Sequence, residues 1–63
     1  MKIHSDITLD AVLNGVRSGD YCGFCVYCGK EAYGVEPDAR EYVCENCDEP
    51  GVYGAEELLF HMA

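Results

Sequence analysis

Two Cys-x-x-Cys pairs, Cys25-Val26-Tyr27-Cys28 and Cys44-Glu45-Asn46-Cys47, stand fifteen residues apart in a chain of 63. No other feature limits the fold so strongly. A chain this short buries roughly 60% of the surface it exposes when unfolded, so its apolar core is marginal and it needs a covalent or metal staple. Each pair presents two thiolates from one tight turn. Two pairs brought together by a hairpin complete a tetrahedral four-sulfur site, with Cys25, Cys28, Cys44 and Cys47 as ligands to one ion. Such a site has no open coordination position, which makes it structural rather than catalytic. The expected states are an unfolded metal-free chain and a folded loaded one.

A disulfide framework is the competing use of these residues. Five cysteines is an odd number, and the opening stretch from Met1 to Asp6 has neither a long apolar run nor a cleavage site. The expectation is a cytoplasmic chain whose thiols stay reduced and bind metal. No segment is apolar enough over a sufficient length to span a membrane. The expected ion is zinc. Its competitor is a single iron in a four-sulfur site, as in rubredoxin-type electron carriers, which are also small and acidic and share a Gly after the first knuckle, here Cys28-Gly29. Those carriers usually have a Pro-x-Cys second knuckle followed by Gly, where this chain has Glu45-Asn46 and then Asp48. Cys22-Gly23-Phe24-Cys25 is also a Cys-x-x-Cys pair. Gly29 favours Cys25 and Cys28 as the ligands, because a residue there often takes positive φ and turns backbone N–H groups towards the sulfurs. Cys22 is then a partly buried small side chain.

Charge narrows the function classes. Twelve acidic residues against four basic ones give a net charge of −8, and loading the four thiolates with a divalent ion makes the chain more acidic still. Nucleic acid is bound through a basic face. Glu41, Glu45, Asp48 and Glu49 around the second knuckle would repel phosphate. Direct DNA or RNA binding is therefore disfavoured, and the acidity fits solubility or attraction to a basic protein surface.

Along the chain, Lys2 to His4 reads as a short strand. Ser5 or Asp6 then caps a helix to about Ser18, with Ile7 or Leu9, Val12, Leu13 and Val16 at helical spacing and Gly19 as its stop. Gly15 within it marks either close packing or a weak helix. Tyr21 to Phe24 extends into the first knuckle. Ala32 to Val35 and Arg40 to Val43 read as strands joined by the Glu36-Pro37-Asp38-Ala39 turn, with Pro37 at its first central position and Arg40 paired with Glu36 or Asp38. Asp48 to Gly51 is a turn, Val52-Tyr53 a third strand, and Ala55 to Met62 a short helix with Leu58, Leu59 and Met62 on one side. Residues 1–63 make one domain: a helical segment over 1–20, then the ribbon and its tail over 21–63.

Four stretches taken together resemble a family of short zinc-ribbon proteins found in tailed phages and in bacterial genomes carrying prophages. They are Gly23-Phe24-Cys25-Val26-Tyr27-Cys28-Gly29, Gly34 to Arg40 (GVEPDAR), Tyr42-x-Cys44-x-x-Cys47, and Val52 to Leu59 (VYGAEELL). The resemblance spans roughly residues 8 to 60. It implies a zinc-ribbon fold with Cys25, Cys28, Cys44 and Cys47 as ligands, and a phage source with the host-cell cytoplasm as its compartment. It assigns no activity.

The expected fold is thus a small α+β zinc ribbon: antiparallel hairpins around one zinc ion held by four cysteines, with an N-terminal helix and a short C-terminal helix. Leu59, Phe60 and Met62 cannot all point inward on so short a helix, so some apolar area should stay exposed, favouring a protein partner or a homodimer. Tyr27 at a knuckle tip, Tyr53, Leu59 and Phe60 are the candidate partner-binding residues. His4 and His61 read as surface histidines. With no nucleophile–base pair, phosphate loop or open metal position, the chain does not read as an enzyme. The leading expectation is a protein-binding module, an accessory or inhibitor docking on a host or defence protein. The alternatives are a nucleic-acid-associated zinc ribbon in a transcription or replication assembly, and a rubredoxin-like iron carrier.

Overall fold

A computed structural model describes residues 2–19 and 21–62; Met1, Asp20 and Ala63, which bound the two expected segments, lie outside it. The elements in chain order are α1 (Leu9–Ser18), β1 (Cys22–Cys25), β2 (Glu31–Tyr33), β3 (Val52–Gly54) and α2 (Ala55–Met62). The strands form one antiparallel sheet in the order β2-β1-β3, giving a small α+β fold.

The first helix begins later than its Ser5 or Asp6 caps would suggest. Thr8, in extended conformation, is the cap, and its Oγ1 accepts a hydrogen bond from the Ala11 amide at 3.1 Å. The reason lies in Ile7. Residues 4 to 7 form a turn, closed by the Ile7 amide on the His4 carbonyl at 3.0 Å, and this drops Ile7 into the core beside Val12. An apolar residue just before the cap packed with one in the first helical turns is a hydrophobic staple, which fixes the angle at which the chain enters the helix. Leu9, the other candidate for the apolar stripe, is exposed. The helix ends at Gly19, as expected, in the left-handed conformation. Gly15 reflects close packing: a Cβ there would lie 2.8 Å from Cys22 Sγ and 3.3 Å from Ala55 Cβ.

Three expected strands are corrected. Lys2 to His4 is no strand; among the described residues it meets the ribbon through the bond from the His4 amide to the Val26 carbonyl, just past the end of β1 at Cys25. Arg40 to Val43 contributes only a single bridge, Tyr42 to Val52. Glu41 has φ of 54°, which breaks the extended run before it, and the second knuckle begins at Cys44. The partner of β2 is therefore β1, with the first knuckle as their hairpin turn, and β2 covers Glu31–Tyr33 rather than Ala32 to Val35.

Most of the buried apolar residues fall into two groups. Ile7, Val12, Phe24, Val26 and Leu58 fill the side towards the helices, with Ile3, Tyr53, Leu59 and Met62 packed against them. Cys25, Val35, Ala39, Cys44 and Val52 form the other, with Cys28, Ala32 and Cys47 at its margin. Strand β1 is buried along its whole length because it separates the two.

The Glu36–Ala39 turn forms as its sequence dictates, closed by the Ala39 amide on the Glu36 carbonyl at 3.0 Å. Arg40, however, pairs with neither Glu36 nor Asp38. Its Nε lies 3.2 Å from an Oε of Glu57, a 7%-exposed carboxylate that His61 also approaches at 3.1 Å. Backbone bonds bring them together: the Glu57 amide donates to the Pro37 carbonyl and the Gly54 amide to the Ala39 carbonyl. The first of these satisfies one of the N–H groups that a helix start leaves unpaired. Glu36 instead accepts the hydroxyl of Tyr42, which holds its carboxyl below the ordinary value and the phenol above it.

Candidate metal centre

The two knuckles are the same piece of backbone built twice. In the first, the Gly29 amide donates to the Cys25 carbonyl at 2.8 Å and the Cys25 amide to the Lys30 carbonyl at 3.0 Å. In the second, the Asp48 amide donates to the Cys44 carbonyl at 2.7 Å and the Cys44 amide to the Glu49 carbonyl at 2.8 Å. Gly29 has φ of 81° and Asp48 has φ of 62°. Glycine takes that region without cost, and Asp is among the few other residues that visit it. Asp48 is thus the structural counterpart of Gly29, and its replacement of a glycine does not change the shape of the second knuckle.

The pairs converge from opposite sides. Strand β1 delivers Cys25, and the bridge from Tyr42 to Val52 anchors the approach to Cys44. The Sγ atoms of Cys25, Cys28, Cys44 and Cys47 all lie within 4.8 Å of one another. Cys25 Sγ is 3.6 Å from Cys47 Sγ, and Cys28 Sγ is 3.7 Å from Cys44 Sγ. A tetrahedron with metal–sulfur bonds of about 2.3 Å has edges of about 3.8 Å, whereas a disulfide needs about 2.05 Å. The donor set fits a metal ion and not a pair of cystines. Cys25 and Cys44 are buried and Cys28 and Cys47 half-buried, so the inner ligand of each pair is the protected one. Cys22 is not part of the cluster: it turns to the helix side, against Gly15.

Each sulfur faces backbone donors. The amides of Cys28 and Tyr27 serve Cys25, that of Lys30 serves Cys28, that of Glu49 serves Cys47, and the Asn46 amide reaches Cys44 Sγ at 3.4 Å. The Asn46 side chain also crosses the site to Cys28 Sγ at 3.6 Å. Donors of this kind orient ligands and stabilise their charge. Neither Asn46 nor the glycine-like role of Asp48 was evident from the spacing of the cysteines. Aligning C-V-Y-C-G with C-E-N-C-D would have exposed the second.

Comparison with protein-family models, with curated proteins and with solved structures finds no match to this chain. Its chemistry has to be read from its own residues. Among the expected partner-binding residues, Tyr27 and Phe60 are exposed, at 60% and 79%, while Tyr53 and Leu59 are half-buried against the helix-side core. No helix among the described residues is long and apolar enough to cross a membrane.

Four sulfurs this close cannot all ionise without a cation. The Lys30 amide, then the Asn46 side chain, hold the Cys28 thiol down at about 6. Burial pushes Cys25 up. At Cys47 the Glu49 amide pulls downward, but burial and the neighbouring sulfurs outweigh it and raise the thiol to about 12. In the folded arrangement Cys25 and Cys47 therefore hold their protons below their raised values, and Cys28 is ionised above about 6. An entering ion must displace at least the protons of Cys25 and Cys47. Each displaced proton makes affinity roughly tenfold stronger per pH unit. We expect apparent metal affinity, measured by competition with a chromophoric chelator, to rise about a hundredfold or more per unit between about pH 6.5 and 8. A flat profile would mean that these thiols are not the ligands.

Proposed function

We propose that this chain is a zinc ribbon in which Cys25, Cys28, Cys44 and Cys47 hold one structural zinc ion, and that it works as a small acidic protein-binding module. The observation that carries this reading is the convergence of four sulfurs into a closed donor set on a chain of net charge −8. Four protein ligands leave no place for substrate or activated water, which supports a structural ion and argues against catalysis. Thiolates suit zinc, and at a given site Zn²⁺ binds more tightly than Fe²⁺. When bound, the ion supplies positive charge that lets all four thiolates ionise.

The charge supports a protein partner over nucleic acid, and exposed Tyr27 and Phe60 supply aromatic contact surface. The resemblance to short phage zinc-ribbon proteins suggests an accessory protein that docks on a host protein in the host-cell cytoplasm. An iron carrier is the second reading, favoured by the left-handed Asp48, which gives the second knuckle a glycine-like turn.

Three measurements on the purified loaded protein decide. Elemental analysis should find one zinc per chain, and the protein should be colourless; a visible thiolate–iron absorption would establish the iron reading instead. Fluorescence anisotropy with generic DNA and RNA at low salt should show no appreciable affinity; micromolar binding would replace the protein-partner reading with the nucleic-acid one.

A further inference from the structure

Strand β2 lies at the edge of the sheet, with β1 on one side only. In its ladder the Gly34 amide donates to the Tyr21 carbonyl and the Cys25 amide to the Lys30 carbonyl. Residues of an antiparallel strand alternate between pairing inward and facing away. Lys30, Ala32 and Gly34 therefore pair towards β1, and Glu31 and Tyr33 turn their N–H and C=O groups to the open edge. A groove flanks each face of this edge. On the helix side, one of about 400 Å³ lies between α1 and the side chains of Glu31 and Tyr33, with Cys22 and Phe24 at its base. On the opposite face, another of about 400 Å³ runs from Ala32 over Val35 and Val52 to Tyr42 and Val43. Tyr33 is 75% and Val43 66% exposed.

We infer that the open edge of β2 is a docking site for an extended, cationic segment of a partner protein, which adds as a fourth strand. Strand addition uses main-chain hydrogen bonds for affinity and pockets for alternate side chains for specificity, and both are present here. An added strand would pair with Glu31 and Tyr33 and place successive side chains alternately in the two grooves. Charge selects the occupant. The Glu31 carboxylate is held along the edge by the Tyr33 hydroxyl at 3.1 Å, and Glu31 and Glu45 line the opposite groove against one cation there, Lys30, so acids outnumber bases along the edge. A Lys or Arg of the guest meets these acids. A second copy of this chain would instead set its own Glu31 and its charge of −8 against the same surface, and like charges facing one another across a strand pair are unfavourable. Edge charges commonly block such self-pairing.

This inference rests on the protein-binding reading, and the test separates the two. The probe is a capped eight-residue peptide alternating valine or threonine with lysine or arginine, added to ¹⁵N-labelled, metal-loaded protein. Amide signals of residues 30–34 should shift, and hydrogen exchange at Glu31 and Tyr33 should slow at least tenfold. Replacing the peptide's cations by glutamate, or methylating its alternate amide nitrogens, should each weaken binding tenfold or more. Glu31→Lys should do the same. So should Tyr33→Pro, which removes an edge donor, provided metal content and circular dichroism are native; Glu31→Lys carries the test if Tyr33→Pro misfolds. No shift at millimolar peptide, shifts centred on Phe60 or the knuckle tips, or sedimentation as a β2-paired dimer would each overturn the inference. Capture of a lysate protein equally by wild type and Glu31→Lys would overturn it while sparing the protein-binding reading. No capture by either would remove both.

Discussion

Cys44→Ser should yield a chain with no stable fold: metal content well below one ion per chain, loss of the native circular dichroism, and collapse of amide dispersion. A structural zinc site contributes roughly 10–16 kcal/mol of binding free energy that is also folding free energy. The apolar core of so short a chain cannot replace it. Cys44 is the severe choice for a structural reason. It is one of the two buried ligands, its sulfur accepts the Asn46 amide, and its own backbone groups close the second knuckle onto Glu49 and Asp48. Adding a strong chelator to the wild type should reproduce the same unfolded state. Cys22→Ser is the control. Cys22 is buried against α1, so some stability is lost, but metal stoichiometry should remain that of the wild type. If Cys44→Ser kept one full ion and native circular dichroism, the assignment of the site would be wrong.

How much of this architecture the sequence announces depends on how local its cause is. The knuckles, the Glu36–Ala39 turn and both helices follow from neighbours a few residues apart, and they form where spacing and turn chemistry put them except at the start of α1. The start of α1 was placed too early, because Ser5 and Asp6 have the chemistry of a cap as Thr8 does. The choice was made by Ile7, whose route into the core demands a turn at residues 4 to 7. The sheet was harder. Strands of three or four residues carry little periodicity, and pairing β1 with both Glu31–Tyr33 and Val52–Gly54 is a long-range outcome of bringing the knuckles together. Arg40 illustrates the same limit. Its nearest acids in sequence are Asp38 and Glu36, yet it bonds Glu57, because the carbonyls of Pro37 and Ala39 hold the start of α2 beside it. Of the candidate site, the four cysteines that cluster were legible from their spacing together with Gly29, which set Cys25 and Cys28 apart from the Cys22 and Cys25 pair. Asn46 was not, because its role depends on how one knuckle faces the other.

Those same carbonyls make Gly54→Ala the most damaging substitution expected away from the cysteines. A Cβ on Gly54 would lie 2.1 Å from the Glu36 carbonyl oxygen and 2.3 Å from that of Pro37. Both obstacles are backbone, so no side chain can swing aside. The Glu36–Ala39 turn would have to lift away from β3, breaking the bonds from Gly54 to Ala39 and from Glu57 to Pro37 and exposing the buried Glu57. Overpacking a core typically costs about 1–3 kcal/mol even where side chains can adjust, so the cost here should exceed about 3 kcal/mol. Because folding and metal binding are linked, the loss should be read most directly as affinity for the ion, weaker by roughly a hundredfold or more. Gly34→Ala supplies the contrast. Gly34 has φ of 73° but nothing within 4 Å of a Cβ, so only the backbone preference is lost, about 1–2 kcal/mol. Chelator competition on the two variants should therefore rank Gly54→Ala well below Gly34→Ala. Equal affinities would mean that the turn at Pro37 does not press on β3, and that the link between the metal side of the sheet and α2 is looser than these contacts imply.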